Sequence, residues 1–481
     1  MRCQAFASVL TFATLVACRA PSRGHPAASA SAPVPVASVS KETPKPESKS
    51  AAVAPVVRTV LHAARALDPK SGKTYEPAFV ELRGGEIASV GTNAPPDATS
   101  MTELGDVTIL PGFVDAHAHL LHLEGVHEHA ILVEATTLSD ADRALRGAVY
   151  ARQMLEAGFT TVRDLGNSGH GADVSLRNAI RKGWAVGPTI VAATRALSHP
   201  GGQFPRVLPQ YRDVIDREYA VVRSPTEATT LVRQAIYEGA DCIKLIVDSP
   251  SSNSMTLDEV RAATEAAHAA GKKVAAHAVT EKGAALAVTA GVDSLEHAYE
   301  IKTETLVEMA RKHIFLVPTD YPLEFYDRYV PQDDTRASVI EQLKKFRKGS
   351  SDRLARAFAA KVPIAFGSDM YVETELRDRG KDAALSFRAY SEAGLPPLAI
   401  VRAVTSSAAE LVVSSPKAGT LSAGAPADVI AVRGNPLVDS NALTEVVFVA
   451  KAGKIVRAPA SAGASAGAGS SALVRFAMLA P

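Results

Sequence analysis

This sequence of 481 residues is poor in cysteine and carries almost no net charge. Its three cysteines, Cys3, Cys18 and Cys242, cannot build a disulfide framework. A formal net charge of +1 provides no overall attraction to nucleic acid or to an acidic membrane surface, so no nucleic-acid partner is expected. Beyond the N-terminal region, no apolar run is long enough to span a bilayer. The hydrophobic share of 47% does suffice for a large core and more than one domain.

The first 17 residues have the pattern of an export signal. Arg2 precedes an apolar segment from Phe6 to Val16 that is too short to cross a membrane. The sequence Leu15-Val16-Ala17-Cys18 resembles the lipobox of bacterial lipoproteins, which implies cleavage before Cys18 and lipidation of its thiol. We therefore expect an exported lipoprotein, held by acyl chains at the periplasmic side, the outer membrane or the cell surface. The alternative is an ordinary secretory signal that contains a cysteine by chance.

Two segments lack the large apolar residues that a folded core requires. Residues 18–54 are rich in Ala, Pro, Ser and Lys, and residues 459–481 are rich in Ala, Gly and Ser. Neither buries enough surface to offset its chain entropy. The first is predicted to be a tether between the anchor and the folded part, and the second a disordered tail.

Short β-like segments occur at both ends of the remaining chain. Residues 55–108 and 408–458 each contain a few apolar runs separated by glycine turns. Neither block has enough strands to be stable alone. They are therefore predicted to pair into one accessory β domain.

Residues 109–407 alternate apolar runs with helical patterns, which predicts an α/β fold. Three of the helices are expected at Ala141–Ala157, Thr256–Ala270 and Lys282–Ala290, each followed by a glycine that ends it. Eight strands that alternate with helices indicate a (β/α)8 TIM barrel. An open doubly wound sheet is the alternative, but no Gly-rich phosphate turn follows the first run. The expected strands are Ile109–Val114, Thr160–Arg163, Thr189–Ala192, Cys242–Val247, Lys273–Ala276, Val292–Leu295, Ile314–Val317 and Val362–Phe366.

Polar side chains lie in or directly after five of these expected strands. In a barrel the strand ends meet at one mouth, so these side chains are predicted to converge there. Each has an ordinary alternative, such as a hydrogen-bonded histidine, a lysine that reaches water or an aspartate that caps a helix. Histidine and carboxylate groups on rigid strands are nevertheless what metal coordination requires. The residues are His117, His119, Lys244, His277, His297 and Asp369.

This combination resembles the metal-dependent amidohydrolase superfamily, within it the imidazolonepropionase-like and Xaa-Pro dipeptidase-like branch. The resemblance runs from about Val56 to Arg457 and implies a barrel with a composite β-sandwich. Its other motifs are Pro111-Gly112-Phe113-Val114-Asp115, Ala157-Gly158-Phe159-Thr160-Thr161-Val162-Arg163-Asp164 and Ala425-Pro426-Ala427-Asp428.

The resemblance also implies a role for each strand-end residue. His117, His119 and Asp369 would hold one divalent ion, and His277 and His297 a second. Lys244 would be carboxylated by CO2 and bridge the two ions. Zinc is the first expectation, and Mn, Fe and Co suit the same ligands.

The implied reaction is hydrolysis of an amide bond in a small molecule, either a dipeptide of the Xaa-Pro type or an N-acyl or cyclic amino acid derivative. A hydroxide that bridges the ions would attack, and Asp369 would move the proton as the catalytic base. His199, Tyr299 and Tyr321 are weaker candidates for substrate contact. Relatives often have a histidine where this chain has Gln203, which leaves the substrate open.

Two other functions stay open at this point. A mononuclear imidazolonepropionase or deaminase would use fewer ligands, but such enzymes usually lack the bridging lysine. A surface lipoprotein that binds small molecules without turnover would be expected to have lost some of the metal-binding residues. The sequence leaves the oligomeric state open, a homo-oligomer included.

Overall fold

The computed structural model describes residues 58–98, 101–123, 130–249, 254–330, 336–372 and 378–459. The expected signal, Cys18, the tether over 18–54 and residues 460–481 of the expected tail lie outside these ranges. Among the helices within them, none combines the length and apolar character that crossing a bilayer requires.

The strands and helices of the described residues are numbered in chain order. The strands are β1 (Arg58–Ala63), β2 (Arg65–Asp68), β3 (Lys73–Tyr75), β4 (Ala78–Arg83), β5 (Glu86–Gly91), β6 (Thr102–Glu103), β7 (Val107–Pro111), β8 (Phe113–Ala118), β9 (Phe159–Asp164), β10 (Thr189–Ala192), β11 (Ala196–Ser198), β12 (Tyr219–Val221), β13 (Ile243–Ile246), β14 (Val274–Ala278), β15 (Ser294–His297), β16 (Phe315–Val317), β17 (Val429–Arg433), β18 (Val446–Lys451) and β19 (Lys454–Arg457). The α-helices are α1 (Ala130–Thr137), α2 (Asp140–Glu156), α3 (Ala172–Arg181), α4 (Arg212–Glu218), α5 (Pro225–Glu238), α6 (Leu257–Ala269), α7 (Glu281–Ala290), α8 (Thr303–Lys312), α9 (Leu323–Tyr329), α10 (Arg336–Ala359), α11 (Arg379–Leu385), α12 (Phe387–Glu392), α13 (Pro397–Val404) and α14 (Ser406–Val412).

Two sheets form the accessory β part, and the second of them combines strands from both ends of the chain. One has the order β5-β4-β1-β6, and the other has the order β19-β18-β17-β7-β2-β3. The sheets share one hydrophobic core, to which Leu61, Val80, Ile109 and Phe448 contribute buried side chains. Because β17 pairs with β7 over five residues, the C-terminal segment completes a sheet that the N-terminal segment begins.

The remaining strands are parallel and alternate with helices, so the predicted α/β class is confirmed. They form a sheet of order β10-β9-β8 and a sheet of order β12-β11-β13-β14-β15-β16. Backbone hydrogen bonds join these sheets on both sides. The N–H of Asp241 donates to the carbonyl of Ala192 at 2.7 Å, and the N–H of Ala116 donates to the carbonyl of Phe366 at 2.8 Å. A parallel bridge between Leu316 and Ile364 completes the connection.

The strand expected over Ile109–Val114 is in fact two strands. β7 pairs with β17 in the accessory sheet, and β8 pairs with β9 among the parallel strands. Gly112 lies between them because a Cβ at this position would stand 2.1 Å from Oγ1 of Thr160. The chain therefore passes from one sheet to the other where only glycine fits.

The strand expected over Thr189–Ala192 is confirmed as β10, whereas the one over Val362–Phe366 differs. Over Val362–Phe366 the structure has one bridge at Ile364 with flanking hydrogen bonds, since Pro363 offers a carbonyl but no N–H to a ladder. The expected third strand ends at Ala192, but the chain returns as β11 and pairs with β13. Thr194 lies between β10 and β11 in the left-handed region, with φ 62°, which breaks the strand in two.

Replacement of Gly112 by alanine should destabilise the fold, because the added methyl group overlaps Thr160 in a closely packed junction. We expect a loss of about 1–3 kcal/mol in the free energy of unfolding, measured by urea denaturation. Gly85→Ala is the matched control, since a Cβ there meets nothing within 4 Å, and its effect should stay within about 0.5 kcal/mol. Equal stability of the two variants would contradict this account of the junction.

Candidate metal centre

The backbone brings Asp369 beside the two histidines of the first parallel strand. His117 lies in β8, His119 follows it, and both side chains are buried. The N–H of Asp369 donates to the carbonyl of His117 at 2.7 Å. Gly367 permits this approach, because a Cβ there would lie 2.6 Å from Cβ of His117.

The side chains of these three residues converge on one point. Oδ1 of Asp369 lies 3.4 Å from Nε2 of His117 and 3.2 Å from Nε2 of His119. The three ligand atoms all lie within 4.8 Å of one another. An ion of the size of zinc fits among donors at this spacing after small side-chain movements.

Hydrogen bonds fix the tautomers of both histidines. Nδ1 of His119 lies 2.9 Å from the carbonyl of Gly166, which can only accept, and Nδ1 of His117 lies 2.8 Å from the carboxylate of Glu296. Each Nδ1 therefore carries a proton, and each Nε2 faces the carboxylate of Asp369. This is the arrangement in which histidine binds a metal.

The other strand-end residues border the same point. Nζ of Lys244, on β13, lies 3.5 Å from Nε2 of His117. The His297 ring centroid lies 5.1 Å from that of His117 and 4.4 Å from that of His277. Among the described residues, Nε2 of buried His277 has no hydrogen-bond partner. A buried nitrogen without a partner is costly unless a ligand such as a metal satisfies it.

Burial sets the charge states at this point. It lowers the pKa of His277 to about 3 and the pKa of Lys244 to about 8. Burial alone would raise the pKa of Asp369, but His117, His119 and Lys244 keep that pKa below its usual value. Asp369 raises the pKa of His119 despite its burial, so an ion bound there would displace a proton. A neutral His277, an ionised Asp369 and a lysine closer to its neutral form are the states that bind metals and react with CO2.

The three weaker candidates border the centre in different ways. The hydroxyl of Tyr321 donates to the carbonyl of Asp369 at 2.6 Å. The ring of Tyr299 lies 5.7 Å from that of His297. His199 directly follows β11, and its buried Nε2 has no partner among the described residues.

Sequence reasoning assigned no role to Glu296, although its side chain supports the centre. Its carboxylate contacts His117 and lies 3.0 Å from Nη2 of Arg163, and both Glu296 and Arg163 are almost fully buried. Consecutive strand residues normally point to opposite faces, so Glu296 and His297 were not expected to share a site. His297 has φ 67°, which turns its side chain to the same side. The signal that the sequence offered for a role of Glu296 was a carboxylate inside an otherwise apolar strand.

Histidine and carboxylate donors gathered at the ends of parallel strands define the class of metal-assisted hydrolases. The chain belongs to the amidohydrolase family, which it matches over residues 108–458. The family is generally metal-dependent. This match confirms the resemblance seen in the sequence at the level of the family.

Known relatives indicate which kind of bond this family hydrolyses in proteins similar to this chain. Ochratoxinase of Aspergillus niger is 27% identical over 437 residues, which cover 83% of this chain and 87% of that protein. The crystal structure of A. niger ochratoxinase has a TM-score of 0.72 at 25% identity and covers 85% of this chain and 97% of that one. A Xaa-Pro dipeptidase, crystallised with methionine in its active site, has a TM-score of 0.71 at 29% identity and covers 83% and 100%. This chain is therefore a hydrolase of carbon–nitrogen bonds that acts on amide bonds of small molecules.

Proposed function

We propose that this enzyme uses two divalent ions to hydrolyse the amide bond of a dipeptide of the Xaa-Pro type, or of an N-acyl or cyclic amino acid derivative. The observation that carries the proposal is the convergence of the Nε2 atoms of His117 and His119 on the carboxylate of Asp369, with Lys244 beside them. The names of two relatives, a Xaa-Pro dipeptidase and an ochratoxinase, support this substrate class.

The proposed architecture is a (β/α)8 barrel over residues 109–407, with a β-sandwich composed of residues 55–108 and 408–458. Two observations support the barrel. The parallel strands and their connecting hydrogen bonds run from β8 through β16 to Phe366 and back to Ala116. The polar residues after the strands also lie together, as they would at one mouth.

The donor set fits two divalent ions. His117, His119 and Asp369 would hold one ion, His277 and His297 the other, and a carboxylated Lys244 would bridge them. Nitrogen and oxygen donors suit zinc, and also Mn, Fe and Co. Bound ions would lower the pKa of a shared water towards neutrality and polarise the scissile carbonyl.

The chain's own residues then position the reactants and move the proton. Asp369 is the base: its carboxylate accepts the proton of the attacking water and passes it to the leaving nitrogen. Two hydrogen bonds of its backbone hold it in place. The N–H of Asp369 donates to the carbonyl of His117, and the carbonyl of Asp369 accepts from the hydroxyl of Tyr321. His199, Tyr299 and Tyr321 border the space where a substrate would lie and are proposed to contact it.

A substrate screen tests this function. The purified protein without residues 1–54 should hydrolyse members of a panel of dipeptides and N-acyl amino acids, and a chelator should stop it. Asp369→Asn should lower turnover by at least about a hundredfold, because the variant cannot take up the proton. Release of amino acid is measured by mass spectrometry. If Asp369→Asn turned over at the wild-type rate with its metals retained, the role of Asp369 as base would be wrong.

Lys244→Ala should lose one metal equivalent and most of the activity, since the bridging ligand is gone. Elemental analysis gives the metal content, and added acetate or formate should restore part of the activity by taking the place of the lysine carboxylate. Lys273→Ala is the matched control. Lys273 is half-buried and directly precedes β14, the strand that pairs with β13, and its Nζ contacts the carbonyl of Glu410 rather than the centre. A fully active Lys244→Ala enzyme with two ions would exclude the bridge, and a single ion in the wild type would favour the mononuclear alternative.

We also propose that lipidation of Cys18 holds the exported enzyme at a membrane surface, with residues 18–54 as the tether. The lipobox-like sequence Leu15-Val16-Ala17-Cys18 supports this proposal. Cys18→Ala should move the enzyme from the membrane fraction to the aqueous fraction, because no acyl chain remains. Cys3→Ala is the control and should leave the enzyme in the membrane fraction. Fractionation and immunoblotting give the result, and a membrane-bound Cys18→Ala protein would contradict the anchor.

A further inference from the structure

A buried ion pair lies beneath one side of the proposed metal centre. Arg353, on α10, contacts both carboxylate oxygens of Asp320 at 2.7 Å, and both side chains are fully buried. The Arg353 guanidinium also lies 3.4 Å from the carbonyl of Pro318 and 5.3 Å from the centroid of the Tyr299 ring. It therefore contacts Pro318 and Asp320, which lie on either side of Thr319 in the segment 318–321 that follows β16.

This segment contacts two of the proposed metal ligands. Oγ1 of Thr319 lies 2.7 Å from Nδ1 of His297, and the Thr319 hydroxyl donates to the carbonyl of Pro318 at 2.7 Å. Thr319 must therefore accept the proton of His297 Nδ1, which leaves Nε2 of that histidine free for an ion. One residue beyond Asp320, Tyr321 donates to the carbonyl of Asp369.

The backbone of this segment and of His297 is strained. Thr319 has φ 56° and His297 has φ 67°, values that a β-branched or bulky residue rarely adopts. Such conformations are strained and persist only where the surroundings impose them. The contacts of Arg353 with Pro318 and Asp320 lie on both sides of Thr319, so they can hold Thr319 in this conformation.

The geometry points to Arg353 as a positioning residue of the metal centre, which acts through the segment 318–321 on His297 and Asp369. This inference rests on the proposed function, because it takes His297 and Asp369 as metal ligands. A role in stability alone explains the ion pair poorly. A buried ion pair is often no more stabilising than apolar residues of the same volume. A planar guanidinium that contacts Asp320 through Nη2 and the Pro318 carbonyl through both Nη atoms fixes direction as well as charge.

Arg353→Lys tests the inference because it keeps the charge beside Asp320 but loses the fork that also reaches Pro318. Metal-free protein is titrated with Zn²⁺ by calorimetry, so the measurement requires no substrate. We expect wild type to bind two equivalents and Arg353→Lys to bind one of them about 10- to 100-fold more weakly. On an amide substrate, kcat should fall with little change in KM.

Two variants separate positioning from stability. Arg143→Lys changes an ion pair of equal burial, in which Arg143 lies 2.7 Å from Glu218, with no contact to the segment 318–321. It should lower the melting temperature about as much as Arg353→Lys while both Zn²⁺ affinities stay at wild-type values. Thr319→Val removes the hydroxyl that contacts His297 and should weaken the same Zn²⁺ equivalent as Arg353→Lys.

The outcomes are distinguishable. Wild-type Zn²⁺ affinities in Arg353→Lys would overturn the positioning role while the proposed function stands. Equal weakening in Arg143→Lys and Arg353→Lys would also overturn it, since loss of stability would then be the cause. If the wild-type protein bound no Zn²⁺, the proposed metal centre itself would fail.

Discussion

The carboxylate of Asp369 faces the Nε2 atoms of His117 and His119 within 3.4 Å, on a backbone that is itself bonded to His117. The first of the parallel strands and the short extended segment that follows the last of them meet here. The N–H of Ser368, the residue before Asp369, donates to the carboxylate of Asp115, which lies 253 positions earlier in the chain. The centre can therefore exist only when the last strand segment has returned to the first. Assembly of the site therefore depends on the fold of the parallel strands, and a metal that joined His117 to Asp369 would stabilise the folded state directly.

Backbone strain is concentrated at the same place. His297, Thr319 and Asp369 all have positive φ values, of 67°, 56° and 49°, although none is glycine. His297 is the last residue of β15, Thr319 follows β16, and Asp369 follows the short extended segment around Ile364. A regular strand would send consecutive side chains to opposite faces, so the left-handed turn is what lets Glu296 and His297 both approach His117. The strain is therefore a condition for the site, and the buried hydrogen bonds around it hold it in place.

Much of the architecture could be predicted because it depends on local patterns. The helices expected at Ala141–Ala157, Thr256–Ala270 and Lys282–Ala290 agree with α2, α6 and α7 to within a residue at each end, since a glycine or a capping residue marks each boundary. The break at Gly112 could not be predicted, because apolar residues continue on both sides and only the close approach of Thr160 reveals the change of sheet. The residues of the candidate metal centre were found from their places after strands. Glu296, Arg163 and Thr319 were missed because their roles depend on tertiary neighbours rather than on spacing.

The distribution of buried charge is consistent with the proposed carboxylation of Lys244. The buried carboxylates of Glu296 and Asp320 are each paired with an arginine, Arg163 and Arg353, so their charges are already offset. Among the described residues, Asp369 is the carboxylate that faces the Nε2 atoms of His117 and His119, and two divalent ions would bring far more positive charge than it can balance. A protonated Lys244, 3.5 Å from His117, would add to that excess. Carboxylation removes this cation and supplies an anion at the same point, so the binding of the ions and the modification of the lysine favour each other. Under the proposed chemistry, neither is then expected to be complete without the other.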